Sequence, residues 1–288
     1  MASLLPIGFL NGACQPLESI KISPLDRGFL FGEGIYEVIP VYAGRPFGLD
    51  AHLSRFERSL AEIDLAEAFS RQSLRDACMQ LVSANGNGDM AVYLQVTRGA
   101  SRGVRNHAYP DDAIPTLFGM SHSLHPRDPA IAHTGVAAVT RLDDRWARCD
   151  IKSTSLLANT MARQFAREHG GVEAILLNGD EVTEGAASSV FVVRDGVVVR
   201  PPPGQHILPG TTSDIVLRLM EENGIKHMTS RISMDDLNDA DEIWLASSTR
   251  DVLPVTRLND RDVANGRPGP VWRRLDQHYQ AAKMQERV

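Results

Sequence analysis

Apolar positions in the first fifty residues fall in short runs broken by turn residues, a pattern of strands and turns rather than long helices. Asn11-Gly12 sits between two such runs and predicts a hairpin. Residues 35–42 (IYEVIPVY) are β-branched and aromatic, and Ala43-Gly44 turns the chain after them. From there the spacing changes to helical. Asp50 can cap a helix through AHLSRFERSL, with Leu53, Phe56 and Leu60 on one face. A second helix over 73–85 places Leu74, Cys78, Leu81 and Val82 inward and ends near Gly86. MAVYLQVTR (90–98) predicts a strand, and the Gly- and Arg-rich stretch 98–110 a loop.

HSLHPRDP (122–129) has two prolines and little apolar content, and it divides the pattern. A strand over 134–142, a helix over 155–168 and a strand in VEAILL follow. Asp195-Gly196 centres a second hairpin in SVFVVRDGVVVRP. A helix follows LPGTTSD, EIWLASS reads as a buried strand, and a tail helix starts near Pro270. Hairpins interleaved with helices imply two α+β domains rather than a doubly wound parallel sheet. The boundaries are a smaller N-terminal domain over 1–121, a linker over 122–130 and a larger C-terminal domain over 131–288.

A length of 288 residues suits that division. The net charge of −6 argues against general nucleic-acid affinity, since even the Arg-rich run RLDDRWAR carries acids beside its arginines. Three separated cysteines form no CxxC pair or disulfide framework, and the N-terminus has no signal-peptide pattern. A cytoplasmic setting is the expectation, with no membrane partner, because no apolar run approaches the ~20 residues a span needs. The nine histidines show no HxH or HExxH spacing, so no metal site is expected.

Four places could carry chemistry. Lys152, in CDIKSTS, is one of only four lysines in a chain whose cations are mostly arginine. A lysine amine becomes nucleophilic when it loses its proton, which arginine does not do at working pH. Ile151, Leu156 and Leu157 predict burial there. The commoner outcome for a single lysine is an exposed side chain ahead of a helix capped by Ser153, Thr154 or Ser155. In LPGTTSDIVLRL (208–219), a glycine before Thr211 and Thr212 at a helix start suits a phosphate, or else simple capping by either threonine. Glu184 lies in EVTEGAASSVFVV, followed by small residues, and could equally be a surface turn. Arg105-Asn106-His107 offers a planar fork for a carboxylate on what could also be a solvated loop.

These pieces occur together with DRGFLFGEGIYEV (26–38), HLSRFERS (52–59), QVTRG (95–99), RWARCDIKS (145–153) and SSTRDVLPV (247–255). In that order they resemble the fold-type IV pyridoxal-phosphate-dependent aminotransferases, and within them the D-amino-acid (D-alanine) aminotransferases, over nearly the whole chain. The resemblance implies a two-domain α+β architecture with the cofactor site between the domains. It makes Lys152, in the larger domain, the Schiff-base lysine and catalytic acid–base. Glu184 becomes the partner of the pyridine nitrogen. Arg55, Thr211, Thr212 and Ser248 become the phosphate ligands. Tyr36, Arg105 and His107 become the substrate-binding residues, with the Arg-x-His loop supplied by the neighbouring subunit of a homodimer. The implied reaction is ping-pong transamination between a D-amino acid and pyruvate or 2-oxoglutarate through an internal aldimine.

Two positions depart from the family pattern. Pro40 stands where relatives carry a polar residue, which predicts an edge position. Thr211 replaces the usual isoleucine. The alternatives are a branched-chain L-amino-acid or (R)-amine aminotransferase or an aminodeoxychorismate-type lyase of the same fold, which lack the Arg-x-His pair, and a non-catalytic pyridoxal-phosphate-binding scaffold.

Overall fold

The computed structural model describes residues 3–285, in two compact units. The first holds described residues up to His125 together with Ile151–Ser155. The second holds Pro126–Asp150 and Leu156–Gln285.

In the first unit the elements are β1 (Ile7–Leu10), β2 (Ala13–Pro16), α1 (Arg27–Phe31), β3 (Gly34–Tyr42), β4 (Arg45–Pro46), α2 (Leu49–Ala61), α3 (Arg71–Ala84), β5 (Met90–Ala100) and β6 (Ile114–Ser123). Among the described residues the strands form one six-stranded antiparallel sheet, in the order β2-β1-β6-β5-β3-β4. Asn11 (φ 47°) and Gly12 (φ 100°) make the expected β1–β2 turn, since both central residues of such a hairpin need positive φ. Ile35, Ile39 and Val41 point from β3 into a core shared with Leu53, Phe56 and Leu60 of α2 and Leu74, Cys78 and Leu81 of α3. Two helix ends differ from expectation. Gly48 (φ 70°) stands at the N-cap of α2, two residues before Asp50, whose carboxylate instead takes Arg71 and Arg75 from α3 at 3.2 and 2.5 Å. Ser70 caps α3, which begins at Arg71 rather than at 73.

The second unit contains α4 (Ile131–Thr134), β7 (Val136–Leu142), α5 (Leu157–Glu168), β8 (Glu173–Asn178), β9 (Glu181–Gly185), β10 (Ser189–Arg194), β11 (Val197–Arg200), α6 (Thr211–Glu222), β12 (His227–Thr229), α7 (Met234–Asn238), β13 (Glu242–Ser247), β14 (Asp251–Leu258), β15 (Arg261–Asp262) and α8 (Pro270–Gln285). Its strands form a mixed nine-stranded sheet among the described residues, β12-β11-β10-β13-β14-β7-β8-β9 with β15 on β14. Asp195 (φ 49°) and Gly196 (φ 73°) turn β10 into β11 as predicted. Pro270 opens α8, and the buried Glu242 carboxylate accepts the N–H groups of Val271 and Trp272 there (2.9 and 2.8 Å).

Lys152 lies with the first unit, not within the larger C-terminal one as the sequence boundaries have it. The cause is strand-like pairing along β3. The N–H of Tyr36 donates to the Lys152 carbonyl (3.0 Å) and that of Thr154 to the Gly34 carbonyl (2.9 Å). Ile151, 5% exposed, buries into the first core, which contributes roughly 1.5–3 kcal/mol toward holding the segment. The same pairing explains Pro40. Residues 34, 36 and 40 present their backbone groups on one side of β3, and the Pro40 carbonyl accepts Phe47 N–H there (2.8 Å). That side faces away from β5 and toward the two-residue edge strand β4, so β3 is not itself the edge, but the missing proline N–H leaves the β3–β5 ladder intact.

Candidate active site

The Lys152 backbone is fixed at both polar groups, its N–H donating to the hydroxyl of buried Ser59 (3.2 Å). The side chain is half-buried, with Nζ 4.3 Å from the centre of the Tyr36 ring. Thr154 and Ser155 do not cap α5. Their hydroxyls donate to the Gly32 carbonyl at 3.0 Å each, and α5 begins without a side-chain cap. Tyr36 stacks on Tyr93, with ring centres 5.5 Å apart. Burial, with Tyr36 beside it, pushes the Tyr93 phenol above its ordinary range, and its hydroxyl donates to Gln95 Oε1 (2.6 Å).

Because β3 alternates, Glu37 faces the core beside Ile35 and is fully buried. Arg55 reaches it from α2 with Nε on Oε1 (2.6 Å) and Nη2 on Oε2 (2.8 Å), and His52 Nδ1 lies 2.7 Å from Oε2. Burial alone would raise the Glu37 carboxyl, but Arg55 and His52 hold it well below the usual carboxylate range. Burial pushes His52 down, more than Glu37 pulls it up. Arg55 is thus oriented by a buried ion pair. Removing one partner of such a pair costs about 3–5 kcal/mol. Glu37 and His52 are not among the residues the sequence reading singles out, although a lone acid on the apolar face of IYEVIPVY is a signal, as is the His-x-x-Arg spacing on one helix face.

Arg105 and His107 are exposed on the loop between β5 and β6. Gly99 (φ 85°) closes the base of that loop, where a Cβ would meet the Ile114 carbonyl oxygen at 1.7 Å. The Arg105 guanidinium lies 4.3 Å from the centre of the Phe31 ring, and the His107 ring 5.5 Å from it. A cavity of about 310 Å³ opens here, lined among others by Arg27, Phe31, Arg105 and Tyr109.

In the second unit Glu184, on β9, is 5% exposed and not a surface turn. Arg145 Nη1 donates to its Oε1 (2.5 Å) and the Leu208 N–H to its Oε2 (3.2 Å). Arg145 is itself held by Asp143, through Nε to Oδ1 (2.9 Å) and Nη2 to Oδ2 (2.8 Å), and by the His206 carbonyl (3.1 Å). The two carboxylates raise the Arg145 guanidinium against burial, which acts to lower it. Burial opposes ionisation of Asp143, but Arg145 and Thr183 hold its carboxyl low. RWARCDIKS therefore contains a second candidate site residue, Arg145, which nothing in its local pattern separates from other arginines.

Neither threonine caps α6. The helix begins at Thr211, and Gly210 at its N-cap brings no side-chain hydrogen bond. A Cβ on Gly210 would fall 2.4 Å from Ser189 Oγ. Thr211 and Thr212 are buried in the first turn, and Thr211 Oγ1 lies 3.4 Å from Ser248 Oγ. A positive helix end ringed by hydroxyls is a phosphate-binding donor set. An arginine-bound carboxylate is an acceptor suited to a protonated ring nitrogen, and a lysine amine to an aldehyde. Each of these groups, taken within its own unit, suits one part of pyridoxal phosphate.

Comparison with known proteins agrees. A family model described as amino-transferase class IV matches residues 34–258. The D-alanine aminotransferase of Bacillus licheniformis is 37% identical over 276 residues, covering 96% of both chains. That of Listeria monocytogenes (strain 10403S) is 37% identical over 271 residues, covering 94% of this chain and 93% of its own. Among solved structures, a T.th. branched-chain amino acid aminotransferase with pyridoxamine 5'-phosphate has a TM-score of 0.88 at 25% identity, covering 99% of this chain and 95% of that one. A fold IV-transaminase from Curtobacterium pusillum has a TM-score of 0.81 at 28% identity, covering 95% and 92%.

Proposed function

The chain belongs to the class IV aminotransferases, pyridoxal-phosphate enzymes, and on that premise we propose that it moves the amino group of a D-amino acid, such as D-alanine, to a 2-oxo acid, pyruvate or 2-oxoglutarate. The observation that carries the D-selective reading is Arg105-Asn106-His107, which presents two cationic or hydrogen-bonding side chains on one exposed loop. The extended identity to D-alanine aminotransferases supports it.

Lys152 would hold the cofactor through its amine and would move the proton at the substrate Cα. Bound pyridoxal phosphate supplies an electron sink for the carbanion that remains. Glu184, locked by Arg145, would keep negative charge at the pyridine nitrogen. Arg55, Thr211, Thr212 and Ser248 hold the phosphate, with Arg55 kept in place by Glu37. Tyr36, its ring centre 4.3 Å from Lys152 Nζ, would border the substrate and confine the amine. Two oxo acids exchange at one site in turn, so ping-pong kinetics are expected.

Handedness follows from the clamp. Arg105 grips both carboxylate oxygens and His107 adds a donor. With the amino group, the carboxylate and the Cα proton each assigned a direction, the side chain has only one left. On the D-selective reading that the relatives support, a D-amino acid presents its proton to Lys152 and an L-amino acid its side chain. Arg105→Ala should lower kcat/KM for D-alanine on the order of a hundredfold, mostly through KM, because a bidentate ionic contact is lost. The measurement is kcat/KM for D-alanine, L-alanine and a carboxylate-free chiral amine in both proteins. Wild-type preference for L-alanine, or a mutant with full D-alanine activity, would replace this reading with a branched-chain or amine aminotransferase.

The assembly we propose is a homodimer in which each loop serves the partner's site. Mixing subunits carrying Lys152→Ala with subunits carrying Arg105→Ala should then restore activity, since a mixed dimer collects both defects in one site and leaves the other whole. Mixtures no more active than their parents would rule the crossover out. A reducing cytoplasm suits the three free cysteines. Recovery of the protein from another cell fraction would overturn that placement.

A further inference from the structure

The geometry points to Arg27 as a positioning residue that sets the backbone of the Arg105–His107 loop, and with it the preference for substrates that bear a carboxylate. The inference rests on the reading of Arg105 and His107 as the carboxylate clamp.

The loop needs such a device. Residues 102–109 are exposed, and its aliphatic side chain Val104 is 91% exposed, so packing does little to fix it. Arg27 Nη1 donates to the Asn106 carbonyl (2.7 Å) and Nη2 to the His107 carbonyl (3.2 Å). Its Nε donates to Glu33. One planar fork thus spans two successive carbonyls of the triplet while its root is tied to a carboxylate, an arrangement a lysine ammonium cannot reproduce.

Arg27 is well placed to impose a position rather than follow one. It is 5% exposed and is the first residue of α1, whose Asp26 cap accepts the Gly28 N–H (2.8 Å) and the hydroxyls of Thr97 (2.9 Å) and Thr116 (2.8 Å). Glu33 also receives Arg98 Nε (3.0 Å), and the Arg98 guanidinium lies 3.5 Å from the centre of the Tyr109 ring. The same carboxylate therefore orients two arginines onto the loop, one at its backbone and one at Tyr109. At the other end of α1, Phe31 is the surface on which the Arg105 guanidinium rests. The helix fixes the loop backbone with its first residue and the clamp side chain with its last.

The test compares Arg27→Met, Arg27→Lys and Arg105→Ala in the full-length holoenzyme. Arg27→Met leaves Glu33 its bond to Arg98, so a folded protein is expected. Amide hydrogen exchange over 104–109 should rise roughly tenfold or more with α2 and β5 unchanged, because the loop loses its tether. KM for D-alanine should rise roughly tenfold with kcat changed by less than about threefold, the signature of lost binding rather than lost chemistry. Arg27→Lys should fall between wild type and Arg27→Met in both readouts, and it carries the test alone if the methionine variant does not fold. If Arg105→Ala raises KM while the Arg27 variants alter neither exchange nor KM, Arg27 is a structural residue only and the inference falls while the clamp stands. If Arg105→Ala leaves KM unchanged, the clamp falls and takes the specificity role of Arg27 with it.

Discussion

Lys152→Ala should abolish transamination, lowering kcat by ~10⁴-fold or more, the upper end of what one general acid–base group supplies, because covalent attachment is lost as well. The fold should persist. The pairing of 152–154 with β3 uses backbone groups, and Ile151 supplies the buried anchor. Cofactor can still enter through its phosphate contacts, but borohydride should no longer fix it to the chain. Mass spectrometry after reduction separates the two outcomes. A mutant that turns over normally, or that still becomes covalently labelled at another residue, would remove Lys152 from its role.

The second large effect is expected at Glu184. Glu184→Gln keeps size and hydrogen-bonding capacity but removes the anion. Arg145 retains both bonds to Asp143, so the local structure has support without the charge. On the proposed assignment the pyridine nitrogen would lose the group that keeps it protonated, and the cofactor would become a poorer electron sink. The rate should fall about a hundredfold or more, equivalent to ~2.7 kcal/mol of transition-state stabilisation. Single-turnover rates for each half-reaction are the direct measure, since both require the sink. Near-normal rates in both would refute the assignment.

Much of this fold is legible locally. Asn11-Gly12 and Asp195-Gly196 carry their conformation in their own residue types, as does Pro270 at the head of α8. Lys152, Glu184, Arg105 and His107 are visible because their motifs occur in a known order. What is not legible depends on partners far along the chain. The Asp50 cap fails because Gly48, with its left-handed backbone, starts the helix first. Capping by Ser153, Thr154 or Ser155 fails because Gly32, over a hundred residues earlier, accepts the hydroxyls of Thr154 and Ser155. Arg145 and Arg27 each look like ordinary charges until the groups they bind far along the chain are known. Arg55 stands out by motif, but its anchor to Glu37 does not, because that bond joins a strand to a helix across the core.

The excursion of residues 151–155 into the first unit has a consequence for how the chain can be divided. A single cut at the boundary near residue 125 does not yield two self-sufficient pieces. The N-terminal piece would lack the segment that covers Gly34–Tyr36, leaving the outward N–H and C=O groups of β3 as an open edge, the kind of template on which other chains add strands and aggregate. The C-terminal piece would carry the lysine with nothing to pair against. Two modules that look like beads on a string are in fact laced, with five residues of one thread sewn into the other.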